Sequence, residues 1–246
     1  KTGFSIGSGI ELYEDLVLNT GISSYFENIK TDSTASASMI SQKGSYFDTF
    51  FNYTLDYDKR NQKFKTTDGF RSRFTQNLPI ISDNYTLTNR YDYKVFNTWL
   101  KENIASISFY ASTTNSLTNK DVKLSDRISL PSSRLRGFEL GKVGPKDGDD
   151  FIGGNYATAI SFGTTMPQIL PTFENTDFSI FLDAANVWGV DYDSNLNDGS
   201  SIRSSIGLAI DLFTVIGPLN FSFTEVISKA NDDISESFRF NLGTTF

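Results

Sequence analysis

An alternation of apolar and polar residues with a period of two runs through most of this sequence and restricts the fold more than any other feature. In one such segment Ile206, Leu208 and Ile210 alternate with residues that include Ser205 and Asp211. This period predicts β-strands with one apolar and one polar face. About eleven segments share the pattern, and many reach the ten or so residues that a tilted strand needs to cross a bilayer. Strands of soluble sandwiches are usually about five or six residues long.

The composition excludes several classes of function. The 246 residues include neither cysteine nor histidine, which rules out a disulfide framework, a thiolate metal site and imidazole catalysis. A net charge of −7 argues against a nucleic-acid partner, because a phosphate backbone needs a basic surface. The mean hydropathy of −0.28 and the lack of a long apolar run exclude a transmembrane helix. They allow a transmembrane barrel, whose strands alternate.

The connections between the predicted strands favour a membrane barrel over a soluble β-sandwich, which is the alternative fold. Short turns at 14–15 and 216–217 alternate with long polar loops at 31–45 and 191–200. One rim of short turns and one rim of long loops is typical of outer-membrane barrels. We therefore predict an all-β fold, an antiparallel transmembrane β-barrel.

The alternation also predicts which side chains face the membrane. A shift of the strand register by one residue would exchange the two faces completely, so a structure can readily contradict this prediction. Ionised residues on the polar face lose little solvation if the lumen contains water. The side chains expected to face outward are Ile206, Leu208, Ile210, Phe221, Phe223, Phe240 and Leu242. Those expected to face inward are Arg203, Asp211, Asn220 and Asn241.

The longest stretch without a strand pattern, at about 117–154, contains the most specific motif, Leu135-Arg136-Gly137-Phe138. This tetrapeptide is similar to the V/I-R-G-F motif in the sixth extracellular loop of the BamA/TamA superfamily of bacterial surface antigens. Other segments resemble that superfamily in the same order along the chain. They are 144–146 (GPK), 153–155 (GGN), 181–183 (FLD), 217–219 (GPL) and 240–246 (FNLGTTF).

The resemblance implies a sixteen-stranded barrel with eleven strands before the motif loop and five after it. This sequence has six predicted strands before the loop and five after it. We therefore interpret residues 1–246 as the C-terminal part of such a barrel, about eleven strands of sixteen, with a lumen-directed loop at about 117–154. The first five strands and the POTRA domains would lie outside it. The strand pattern starts almost at Lys1, and we interpret the chain as cut from a longer precursor.

The motif loop supplies the first candidate site. An arginine folded into a barrel lumen must find a carboxylate or an aromatic face. Asp183, on the polar face of its strand, can accept a bidentate pair from Arg136, and the resemblance implies that Arg136 also overlies Phe162. Gly137 would allow a sharp turn, with Phe138 packed beside it. The alternative is a solvated basic loop.

The final strand supplies the second candidate site, made of Phe238, Phe240, Leu242, Gly243 and Phe246. One interpretation is simply a lipid-facing stripe. The run also resembles the terminal signal recognised during barrel assembly, and the resemblance implies that the glycine lets the strand kink at a seam. A glycine within a strand weakens ladder pairing.

The function implied by the resemblance is the folding and insertion of other outer-membrane proteins through a seam at the last strand. The partners would be outer-membrane lipids, nascent β-barrel clients and accessory lipoproteins bound through POTRA domains, in a bacterial outer membrane. We expect no enzymatic activity, cofactor, metal or nucleic-acid partner. The alternatives are a TamA-like or two-partner secretion pore and a passive channel. The sequence leaves the client range and the state of the seam open.

Overall fold

The computed structural model describes residues 1–100, 102–166, 169, 175–191, 196, 201–214 and 217–242. Within them most of the chain is β-strand, joined by turns and loops that contain a one-turn helix α1 (Ala37–Ser41) and a 3-10 turn (Leu124–Asp126). The strands are β1 (Thr2–Tyr13), β2 (Leu16–Ile29), β3 (Gly44–Asp58), β4 (Gly69–Ser82), β5 (Thr86–Trp99), β6 (Asn103–Ser116), β7 (Lys146–Asp147), β8 (Asp150–Phe151), β9 (Tyr156–Met166), β10 (Thr176–Trp188), β11 (Arg203–Thr214), β12 (Gly217–Ser228) and β13 (Phe238–Leu242).

Eleven of these strands form one antiparallel sheet in chain order, interrupted only by the separate β7–β8 hairpin. Six strands of the sheet precede the motif loop and five follow it, as the sequence predicts. In the described part of the chain β1 and β13 occupy the two ends of the sheet, so the barrel is partial and open. The predicted fold class, a partial antiparallel transmembrane β-barrel, is confirmed.

The two faces of the sheet carry the side chains that the alternation assigns to them. On the outer face Leu208 is 54% exposed, as expected for a residue that contacts lipid, whereas Arg203 is only 2% exposed on the inner face. Aromatic side chains of neighbouring strands pair on the outside, and the ring centroids of Phe221 and Phe240 are 5.1 Å apart. On the inside, the amide of Asn220 donates a hydrogen bond of 2.7 Å to Asp211.

The inner face of β3 and β4 carries oppositely charged side chains that form ion pairs. Asp56 on β3 accepts hydrogen bonds from two arginines of β4, with N–O distances of 2.6 Å to Arg71 and 2.7 Å to Arg73. Such partly hydrated pairs are compatible with a wet lumen. They would be costly on the lipid side.

The apolar core lies between the motif loop and the inner wall, because the single sheet has no second sheet to pack against. It consists of buried loop residues packed on Tyr110 of β6 and on smaller side chains of β9 and β10. Its members are Tyr110, Ile128, Leu130, Leu135, Phe138, Val143, Ala157, Ala159, Ala185 and Val187. Small alanines on the wall leave room for the bulkier loop side chains.

At the rim of turns, the connection 59–68 between β3 and β4 reaches across the lumen. The ring of Phe64 packs edge-on against Phe213 of β11, with 5.0 Å between centroids. The ammonium of Lys65 lies 3.7 Å from Asp177 of β10. Among the described residues, no helix is long and apolar enough to span a membrane.

Candidate functional site

The motif loop, residues 117–154, crosses the concave face of the sheet between β6 and β9. Its backbone groups find partners inside the loop and on the wall, as buried polar groups must. Ile128 and Gly154 exchange a pair of backbone hydrogen bonds of 2.8 and 3.0 Å, and β7 pairs with β8. The loop is therefore a folded element, and its position relative to the wall is defined by specific contacts.

The guanidinium of Arg136 binds Asp183 of β10 in a bidentate arrangement. Nε donates to one carboxylate oxygen at 2.8 Å and Nη2 donates to the other at 2.7 Å. The backbone amide of Arg136 also donates to this carboxylate, at 3.1 Å. Asp183 is fully buried, whereas the arginine side chain is 24% exposed. A buried carboxylate with three such donors is strongly tied to its partner.

The aromatic partner of Arg136 is Phe181, and the expectation that Arg136 overlies Phe162 is wrong. The guanidinium carbon lies 3.3 Å from the centre of the Phe181 ring. Phe162 is paired with Leu182 on β10 and is 44% exposed on the outer face. Side chains alternate along a strand, so Phe181 lies on the same face as Asp183. The spacing of two residues between Phe181 and Asp183 is the feature of the sequence that could have identified Phe181 as the aromatic partner.

The other motif residues fit the loop against the wall. Leu135 and Phe138 are buried in the core beneath the loop. Gly137 has a φ of +87°, and a Cβ added there would lie 2.5 Å from Cγ2 of Thr224 on β12. Glycine is needed at this position for both its backbone conformation and its lack of a side chain.

Arg134, which precedes the motif, makes a contact that the sequence did not predict. Its guanidinium forms an ion pair with Asp92 on the inner face of β5 and lies 5.2 Å from the ring centre of Tyr110 on β6. The inward phase of Asp92 is visible in the sequence. Its partner Arg134 could not be predicted, because the loop sequence has no repeating pattern that indicates where a side chain lies.

A buried lysine fastens the start of the loop to β2 and β3. The ammonium of Lys123 forms an ion pair with Asp48 and lies 3.8 Å from Glu27 and 3.6 Å from Asp126. Burial by itself lowers the pKa of Lys123, but the three carboxylates outweigh it and the net pKa is raised. Burial raises the pKa of Asp126. Removing Lys123 would leave several carboxylates close together without their cation.

A second ion pair ties the loop to the end of β10. Arg127 binds Asp191, and the backbone amide of Val122 donates to the same carboxylate at 2.9 Å. Burial alone would raise the pKa of Asp191, but the Val122 amide and the Arg127 guanidinium outweigh it, so the pKa is lowered. The ionised carboxylate therefore stabilises the attachment.

The last strand, β13, pairs with β12 over its described length. Phe238, Phe240 and Leu242 are exposed on the outer face, as the alternation predicts. Arg239 on the inner face reaches the motif loop and donates to the backbone carbonyl of Phe138 at 2.6 Å. Gly243 and Phe246, the other two residues of the predicted seam, lie outside the described residues.

The sequence is similar to parts of two known proteins. The chain is 30% identical over 139 residues to the outer membrane protein assembly factor BamA of Neisseria meningitidis, covering 46% of this chain and 17% of that protein. It is 25% identical over 227 residues to the sorting assembly machinery 50 kDa subunit of Saccharomyces cerevisiae, covering 86% of this chain and 46% of that protein. The chain thus spans less than half the length of either relative.

A solved structure has the same fold. BamA from Haemophilus ducreyi lacking POTRA domains 1–3 superposes with a TM-score of 0.84 and 23% sequence identity, covering 97% of this chain and 53% of that one. The model of the Omp85 superfamily domain matches residues 1–246. Together with the docked motif loop, this match places the protein among outer-membrane β-barrels. The chain belongs to the Omp85 superfamily.

Proposed function

We propose that the protein folds other β-barrel proteins and inserts them into the outer membrane through a seam at its last strand. The observation that carries the proposal is the motif loop, held inside the barrel wall by Arg136 and Asp183 and joined to the last strand through Arg239. Two relatives whose names describe assembly functions support it. We also propose that residues 1–246 are the C-terminal part of a sixteen-stranded barrel whose loop 117–154 occupies the lumen.

The mechanism is physical, without covalent chemistry or a cofactor. In the described chain β13 has a ladder partner, β12, on one side. The unpaired N–H and C=O groups of an edge strand are a template for an incoming strand.

The proposed partners follow from the surfaces. The apolar outer face contacts outer-membrane lipids, and nascent β-barrel clients pair with the last strand. Accessory lipoproteins would bind POTRA domains outside this chain. The bacterial relatives and the loop motif support a bacterial outer membrane as the location.

The experiment that tests the proposal is reconstitution of the complete protein in liposomes with a urea-unfolded client barrel. The folding rate of the client is measured by its resistance to protease. Folding much faster than in protein-free liposomes supports assembly. Client folding at the protein-free rate, together with ion conductance or export of a soluble passenger, would instead indicate a passive channel or a secretion pore.

A further inference from the structure

The segment before the last strand, residues 230–237, is hydrogen-bonded to the motif loop through its backbone. The amide of Glu236 donates to the carbonyl of Gly137 at 2.9 Å, and the amide of Glu139 donates to the carbonyl of Ile234 at 3.0 Å. The amide of Ile234 in turn donates to the carbonyl of Lys142 at 3.1 Å. The first two bonds form a short antiparallel ladder around the pair Phe138 and Ser235. The third adds a contact beside this ladder, between the motif loop and the approach to β13.

The carbonyls on either side of Gly137 are bonded to the barrel wall. The carbonyl of Arg136 accepts a hydrogen bond of 2.7 Å from the hydroxyl of Ser205 on β11. The carbonyl of Phe138 accepts one of 2.6 Å from Arg239 on β13. The motif backbone thus contacts three elements near the end of the chain: β11, the segment 230–237 and β13.

A buried ion pair fixes this segment to the wall. Nε of Arg203 on β11 donates to Asp233 at 2.8 Å, and Nη2 donates to its other oxygen at 3.1 Å. Both side chains are almost completely buried. Asp233 also accepts the amide of Ala230 at 2.7 Å. Because its oxygens are occupied from two sides, Asp233 defines where the segment lies.

We infer that residues 230–239 couple docking of the motif loop to placement of the last strand, with Asp233 and Arg203 as positioning residues. The inference deepens the proposed function and rests on it for its role in client insertion. With the loop docked, the Phe238 end of β13 is held against β12. When the loop undocks, the ladder and the Arg239 contact are lost, and the seam loosens first at the rim of loops.

Hydrogen exchange of the complete protein in lipid nanodiscs tests the positioning role of the ion pair between Arg203 and Asp233. Asp233→Asn keeps the shape of the side chain but leaves the buried Arg203 charge unpaired. We expect the amides of Ile234 and Glu236 to exchange at least about tenfold faster. Asp232→Asn, which removes the same charge from the exposed neighbouring residue, is the matched control and should leave these rates unchanged. Arg203→Lys provides a second, milder variant if Asp233→Asn folds poorly.

Coupling is tested from the other side of the ladder. Arg136→Ala should raise exchange at Ile234, Glu236 and Phe240, although it does not touch them directly. The double variant Arg136→Ala with Asp233→Asn should exchange no faster at Phe240 than the more affected single variant, because both changes release one unit. Unchanged exchange at Phe240 in Arg136→Ala, or simple addition of the two effects, would overturn the inference.

Client insertion, measured on the same samples, separates this inference from the proposed function. Coupled exchange with unaltered insertion would leave the coupling standing and contradict the seam mechanism. Loss of insertion in Arg136→Ala without any change in exchange at the last strand would contradict the coupling and leave the proposed function in place.

Discussion

Removal of the Arg136 side chain is the most informative single change, because it leaves the fully buried Asp183 carboxylate without a counter-ion. Arg136→Ala deletes two charge-assisted hydrogen bonds of 2.8 and 2.7 Å and the stacking on Phe181. Breaking a buried pair costs about 3–5 kcal/mol. Since the arginine is partly exposed, we expect the lower end, about 3 kcal/mol. At about 1.4 kcal/mol per tenfold, the ratio of docked to undocked loop falls about a hundredfold.

The chain contains no cysteine, so a single introduced thiol can report undocking. Ser205→Cys is nearly isosteric, and Ser205 is completely buried beneath the motif loop. In this background Arg136→Ala should raise the rate of maleimide labelling about a hundredfold if opening is fast. Lys142→Ala, which removes an exposed positive charge from the same loop, is the control. Equal labelling of the Arg136→Ala and Lys142→Ala proteins would refute the reasoning.

Three further predictions can be checked with the same reporter. Phe181→Leu should weaken docking by about 1–2 kcal/mol through loss of the cation–π contact, whereas Phe162→Leu, on the outer face, should leave labelling unchanged. Gly137→Ala should undock the loop, because the new methyl would overlap Thr224 and the φ of +87° is strained for alanine. The additional change Thr224→Ser, which removes the overlapping methyl, should restore part of the docking. If it restores none, the cause is not steric. The pKa of Asp191 is lowered, so its contribution to loop docking is complete above its unfolded pKa of about 3.9 and is lost as the pH falls through the lower folded value. The rate of labelling should therefore rise only below about pH 4. Asp191→Asn should abolish that acid-induced step.

Sequence reasoning located the wall of the barrel better than it located the loop. The period of two placed Asp183 and Arg203 on the inner face because each strand has only two faces. The same rule applied to Phe181 would have identified the ring beneath Arg136, whereas the residue taken from the resemblance, Phe162, lies on the other face. The loop partner of Arg203, Asp233, could not be predicted, since loop residues follow no period and their contacts depend on tertiary placement.

The central claim is that clients enter through a seam at the last strand, and a reversible lock tests it most directly. In the complete protein, Asn241→Cys is joined by a disulfide to a cysteine on the facing first strand of the barrel. The control lock joins Ile210→Cys to Phe221→Cys, which are paired across β11 and β12. We predict that the seam lock abolishes client insertion, that reduction restores it, and that the control lock has no effect. Insertion at the unlocked rate with the seam closed would contradict the claim.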